Sequence, residues 1–324
     1  FVTFEKRGLT TPDVLRALAR ALGVDPRAAG AAGMKDRHAI TTQTASFPFP
    51  LARDAEAALA GVAIPGVTIL AAARHDNKLK PGHLVGNCFT IALRDVDAAE
   101  AEGVARRLAE IGRVGVPNAF GPQRFGRDGD NPARALAWLA GAERGPRDKR
   151  EQRMLFSSLQ SMLFNRVLAR RVEAGAPALV LPGDVAKKHD TGGLFTVPLL
   201  GPELDDARAR AEAGALSATG PMFGAKMRWP EGEPAAVERE VLAEASLTTA
   251  HFEAWRHLGG GTRRPLRLAV GEMDARIEAG EAGKASVIAR FVLPKGGYAT
   301  TVLGGACHLV DVGSASAAGP SPRA

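Results

Sequence analysis

A chain of 324 residues, 45% hydrophobic and 24% charged, is long enough to bury a sizeable core and to divide into two domains. Its net charge of +7 favours a polyanionic partner, nucleic acid first, although Arg-rich coding alone gives the same excess. Two cysteines, Cys88 and Cys307, exclude a disulfide framework and a zinc cluster, seven histidines include no His-Glu-x-x-His, and no apolar run approaches the roughly 18 residues of a membrane span. A cytoplasmic protein without metal, membrane contact or signal peptide is expected.

The first residues, Phe1 to Glu5, alternate apolar and polar as a half-buried strand does. Thr11-Pro12-Asp13 then reads as a helix start, with Thr11 as N-cap. Val14, Leu18 and Leu22 form the buried stripe of that helix. After it comes Gly33-Met34-Lys35-Asp36-Arg37-His38-Ala39-Ile40-Thr41-Thr42-Gln43, in which one carboxylate sits between two cations, followed by a short strand at Thr44 to Phe47. A loop held between a helix and a strand suits a catalytic side chain, and the same residues also read as a solvated turn.

A helix over Asp54 to Leu59, a strand over Gly66 to Leu70 and a charged connector over Arg74 to His83 follow. Phe89 to Arg94 alternates as a strand, and Ala98 to Ile111 is an amphipathic helix. Val116-Pro117-Asn118-Ala119-Phe120-Gly121-Pro122-Gln123-Arg124-Phe125-Gly126 combines two glycines and two prolines with an Arg, as an ordered loop does; composition alone makes Phe120 and Phe125 core residues. The crowded charges of Glu143 to Arg153 mark a boundary entering a long helix, Lys149 to Glu173, with Met154, Leu155, Leu159, Met162 and Leu163 on its core face. That helix is expected to support a domain rather than to touch substrate.

The segment after Gly183 reads as irregular, Leu204 to Glu212 as a helix, Gly220 to Gly224 as a turn, and Ala235 to Ala245 and Thr249 to Leu258 as helices. Gly259-Gly260-Gly261-Thr262-Arg263-Arg264-Pro265 reads as a flexible linker or, less readily, a phosphate cradle. Leu266 to Val270 and Ser286 to Leu293 are strands, the second with Val287, Ala289, Phe291 and Leu293 on one face. Gly313 to Ala324 is small and polar, a tail without expected order.

Four stretches together resemble the tRNA pseudouridine synthase D (TruD) family. The Asp36 stretch matches the family's Ala-Gly-x-Lys-Asp-x-x-Ala-x-Thr-x-Gln without a gap, and the Asn118 stretch matches Val-Pro-Asn-x-Phe-Gly-x-Gln-Arg-Phe-Gly. Ser161 to Asn165 is similar to Ser-x-Leu-Phe-Asn, and Leu293 to Leu303 to Leu-Pro-x-Gly-x-Tyr/Phe-Ala-Thr-x-Val-Leu. The family continues with Arg-Glu where Gly304-Gly305 stand, and an N-terminal segment with further site residues precedes the part matched here.

The resemblance implies an α+β fold: a pseudouridine synthase catalytic core, an antiparallel sheet flanked by helices, from residues 1–143 and 265–324, with a family-specific α/β domain, 144–264, inserted. It implies isomerisation of uridine to pseudouridine in tRNA, at uridine 13 of the D arm, by one catalytic aspartate and no cofactor, in a monomer with a basic cleft for RNA. The match places that aspartate at Asp36, as nucleophile or as base at the sugar. Lys35 and Arg37 are the cations expected to keep it ionised. Phe120 is expected to stack on the turned-out base, Asn118 to hold the base or the loop, and Gln123 and Arg124 to bind or brace, Arg124 on a phosphate. Two rival readings are a truncated, catalytically impaired RNA-binding homologue and a hydrolase pairing Asp36 with Asp128 or Asp130, which no spacing supports.

Overall fold

The structure is a computed structural model that describes residues 1–175 and 179–310, so the tail expected at Gly313 to Ala324 lies outside the described residues. Two compact units are present, Phe1–Asn87 and Cys88–Ala324.

In the first unit β1 (Val2–Lys6) is the centre of a four-stranded sheet. Helix α1 (Thr11–Ala21) follows, then β2 (Gly30–Ala31), β3 (Thr41–Ser46), α2 (Ala55–Ala60) and β4 (Val67–Ala72), in the sheet order β2-β3-β1-β4. Every pairing is antiparallel, with Phe4 opposite Gln43 on one side and Ile69 on the other. Val2, Phe4, Val14, Leu18 and Leu22 close the core, as the strand and helix periods predict. The N-cap of α1 is Thr10 rather than Thr11: Thr10 and Asp13 form a reciprocal capping box, and Thr11 is buried inside the helix, free to bond elsewhere.

The second unit begins along β5 (Gly86–Asp97), followed by α3 (Ala98–Val114), the two-residue β6 (Val116–Pro117), α4 (Asn131–Leu139) and the long α5 (Lys149–Glu173). Asp148 caps α5 through the Arg150 N–H at 2.9 Å. The segment expected to be irregular contains β7 (Val185–Lys188) and β8 (Leu194–Thr196). Then come α6 (Pro202–Glu212), β9 (Leu216–Met222), α7 (Gly232–Glu244), α8 (Thr249–Ala254), β10 (Thr262–Pro265), β11 (Arg267–Leu268), β12 (Gly271–Ala279), β13 (Lys284–Pro294) and α9 (Ala299–Gly304).

Among the described residues, three apolar cores stabilise this unit. Strands β12, β13 and β5 form a sheet covered by α3 and α9, and Val287, Ala289, Phe291 and Leu293 are all buried on one face of β13. A second core joins α4 and α5 with α7 and α8. The third lies between α5, α6 and the antiparallel sheet β10-β9-β7-β8.

Three expectations fail here. The stretch 259–265 is no flexible linker: its second half is β10, paired residue for residue with β9, and 220–222 is strand rather than turn. Gly261 has φ +81°, and a Cβ there would come within 2.7 Å of the Gly224 backbone, so both glycines serve close packing of two chain segments. On α5, Leu155, Leu159 and Leu163 are buried as expected, but Met154 faces solvent at 49% exposure, one position off the stripe. At Gly304-Gly305, where the resemblance breaks, a side chain at Gly304 would meet open space, whereas a Cβ at Gly305 would press on Ile111 at 3.2 Å.

Candidate active site

The Asp36 loop joins β2 to β3 and is held from below by three buried polar residues. The Gln43 amide donates to Gly33 O at 2.6 Å and accepts from the Thr11 hydroxyl at 2.9 Å. The Thr11 hydroxyl in turn accepts from the Lys35 backbone N–H at 2.9 Å. Lys6 Nζ donates to the Asp36 carbonyl oxygen at 2.6 Å. The loop backbone is thus fixed at Gly33, Lys35 and Asp36, while the Asp36 side chain stays exposed. Its only hydrogen bond among the described residues is a long one, 3.4 Å, from the His38 N–H.

The flanking cations do not pair with that carboxylate. The Lys35 amine donates to Asn87 Oδ1, and Arg37 Nε donates to Gly8 O at 3.2 Å. The sequence order Lys-Asp-Arg therefore brings charge close along the chain but turns it away in space. The cation beneath the loop is Lys6, which sequence reading did not single out. It is the third inward position of β1, after Val2 and Phe4, and has no exposed surface. A lysine on the apolar face of an alternating strand was a legible anomaly. Burial lowers the Lys6 pKa, the Asp36 charge opposes that shift and the Lys35 charge adds to it. Burial also lowers Lys35. Arg7, Gly8, Arg37, His38, Ala39 and Ile40 line a hollow of about 280 Å³ beside the loop, with two guanidiniums at its wall.

In the second unit, the Asn118–Gly126 stretch runs from β6 into a short 3-10 turn, Pro122–Phe125. Asn118 is buried, donates from Nδ2 to Pro265 O at 2.8 Å and accepts at Oδ1 from Arg264 Nη2 at 2.5 Å, so its amide is spent on the protein. Phe120 is half-buried against the third core, edge-on to Phe164 at 5.5 Å. Its backbone is clamped by the Asn165 side chain, which accepts from Phe120 N and donates to Phe120 O, both at 2.9 Å. The Arg264 guanidinium lies 4.1 Å above the Phe120 ring centroid and that of Arg124 5.5 Å from it. Arg124 donates from Nε to Ser161 Oγ at 3.1 Å and from Nη2 to Ser157 Oγ. Gln123 is exposed, with no side-chain hydrogen bond among the described residues, and Phe125 is half-buried.

Asn165, Ser157 and Ser161 all stand on α5. Helix α5 contributes to the second and third cores, and it also holds the Phe120 loop. The Ser161 to Asn165 motif was the signal for this role; the sequence signal at Arg264 was the reading of Gly259 to Pro265 as a phosphate cradle.

The tRNA pseudouridine synthase D (TruD) family model matches residues 1–132 and 147–304. A tRNA pseudouridine synthase D from Anaeromyxobacter sp. (strain Fw109-5) is 45% identical over 308 residues, covering 94% of this chain and 83% of that protein. One from Thermus thermophilus is 43% identical over 306 residues, covering 94% and 80%. A crystal structure described as a candidate tRNA pseudouridine synthase D from Methanosarcina mazei superposes with a TM-score of 0.77 at 25% identity, covering 94% of this chain and 86% of that one.

Proposed function

The chain belongs to the tRNA pseudouridine synthase D (TruD) family, and on that premise we propose that it isomerises uridine to pseudouridine in tRNA, at uridine 13 of the D arm, with Asp36 as the single essential carboxylate. The reaction breaks the N-glycosidic bond, turns the base and rejoins it through carbon 5. A carboxylate serves as nucleophile or as base at the sugar. One observation carries the assignment: the Asp36 carboxylate is exposed and free of any ion pair among the described residues, on a backbone pinned by Lys6, Thr11 and Gln43. The pinned backbone fixes where Asp36 stands, and the unpaired carboxylate is left open for substrate to engage.

Phe120 is the stacking face for the turned-out base, worth about 1–3 kcal/mol per base. Asn118 acts indirectly, by holding Arg264 and the loop, and Gln123 is a surface contact to RNA. We further take residues 1–143 and 265–324 as the catalytic domain and 144–264 as the family's insertion. One core joins Leu93 to Val116 with Leu268 to Ala306 across the insertion, which supports the discontinuous domain, while Ala135 and Leu266 pack with the cores of the insertion just outside its proposed bounds. None of the described helices is long and apolar enough to cross a membrane.

The test is unmodified tRNA carrying tritium at uridine carbon 5. Wild type should release tritium, and Asp36→Asn should bind tRNA with little change and release none. A variant retaining a tenth of the activity rules out Asp36. Mapping the product by carbodiimide-stop primer extension checks the position; a stop elsewhere than nucleotide 13 overturns that part of the reading.

A further inference from the structure

Arg264 and Arg124 hold two positive charges over one aromatic ring, and neither has a carboxylate within 4.0 Å among the described residues. Elsewhere in the same unit the two buried arginines are closed by acids: Arg171 on Asp184 at 3.0 Å and Arg263 on Glu238 at 2.7 Å. Arg264 instead meets neutral acceptors, Asn118 Oδ1 at 2.5 Å and Asn118 O at 3.4 Å. Arg124 meets the hydroxyls of Ser157 and Ser161. The Nη1 group of each has no acceptor among the described residues. Burial first lowers the Arg264 pKa, and the Arg124 charge adds to this against the opposing influence of Tyr298; at about 10 the guanidinium stays charged at neutral pH.

Arg264 is part-buried and Arg124 exposed, and a part-buried charge with a like charge beside it and no acid to compensate it is unfavourable for the free protein. An anion bound across the pair would relieve it. Guanidinium forks fit phosphate oxygens bidentately, and the ring beneath keeps the Arg264 plane in place. We propose that Arg264 and Arg124 together form a site for one backbone phosphate of the RNA substrate, beside the Phe120 ring. The site rests on the reading that the substrate is tRNA.

Filter binding of unmodified tRNA across a salt series tests it, with wild type, Arg264→Gln, Arg124→Gln and the double variant. Glutamine keeps a donor for Asn118 or serine and removes the charge. Either arginine alone still part-neutralises the shared phosphate, so each single change should lower the slope of log affinity against log salt only in part, and the double variant should lose about 0.7–0.9 in all, the share of one phosphate. Unfolding temperature should stay level or rise, since an unpaired charge has gone; Arg264→Lys, which keeps the charge and loses the fork, should keep the slope and bind several-fold more weakly. Unchanged slopes, a loss in the double variant of about 1.4–1.8, the share of two phosphates, or full affinity in Arg264→Lys overturn the shared site. Tritium release is measured beside binding. Release with unchanged slopes overturns this site alone, whereas slope loss in a protein that never releases tritium overturns the synthase reading alone.

Discussion

Arg263 and Arg264 are successive residues of β10, and strand alternation sends their side chains to opposite faces. Arg263 is buried, donates to both oxygens of Glu238 at 2.9 and 2.7 Å, and bonds Thr219 Oγ1 and O. Arg264 leans on Phe120 and, among the described residues, finds only the neutral side-chain and backbone oxygens of Asn118. One guanidinium is closed by the protein itself; its neighbour is left open. The difference teaches where to look for ligand charge: a closed pair belongs to folding, an open one belongs to a partner. Lys6 is intermediate, a buried cation satisfied by a single carbonyl beneath the Asp36 loop.

Opening the closed pair should have the largest effect. Glu238→Gln keeps the volume and strands the Arg263 charge, so unfolding in urea should show a loss of roughly 3–5 kcal/mol. A loss below about 1 kcal/mol would mean that Thr219 alone satisfies Arg263, and the distinction between the two faces would collapse.

Lys6 comes next. A hydrogen bond from a charged donor is worth about 1.5–3 kcal/mol, so Lys6→Met should slow single-turnover tritium release roughly 10- to 150-fold by freeing the Asp36 backbone. Lys6→Arg should restore part of it. Because the Lys6 pKa is lowered, its proton leaves earlier than an ordinary lysine's as pH rises, and wild-type turnover should fall on that alkaline limb. The arginine variant should hold its rate to higher pH; identical limbs would show that Lys6 titration has no part in activity.

The ring under the open charge is the third lever. Phe120→Leu keeps apolar volume and removes the π face, so turnover should drop about 5- to 150-fold, matching roughly 1–3 kcal/mol of stacking, with the unfolding temperature nearly unchanged. Early unfolding with normal turnover would make Phe120 a packing residue. The smallest effect is expected at Thr10→Ala, which removes a helix cap worth about 1 kcal/mol, far in kind from either charge. It should lower stability alone; a change in turnover would show that α1 is coupled to the loop through more than Thr11.

Local pattern alone determined much of this protein. The strand at the start, the stripe of α1 and the inward face of β13 follow from a period of two or of 3.6, which needs no knowledge of neighbours, and the start of α5 at Lys149 was marked by the crowded charges there. The motifs likewise marked Asp36, Asn118 and Phe120 before any contact was known. Tertiary structure decided what the pattern leaves open. Strands β7, β8 and β10 are short and carry no strong alternation, and only pairing within one antiparallel sheet makes them strands. Alternation puts Arg263 and Arg264 on opposite faces, but the acid that closes Arg263 comes from α7, 25 residues earlier, and the ring that receives Arg264 from a loop before α4. Lys35 and Arg37 flank Asp36 in the chain and turn to Asn87 and Gly8, while Lys6, 30 residues away, reaches its backbone. Charge acts through space, and spatial neighbours are set by the packing of distant segments, which no local period records.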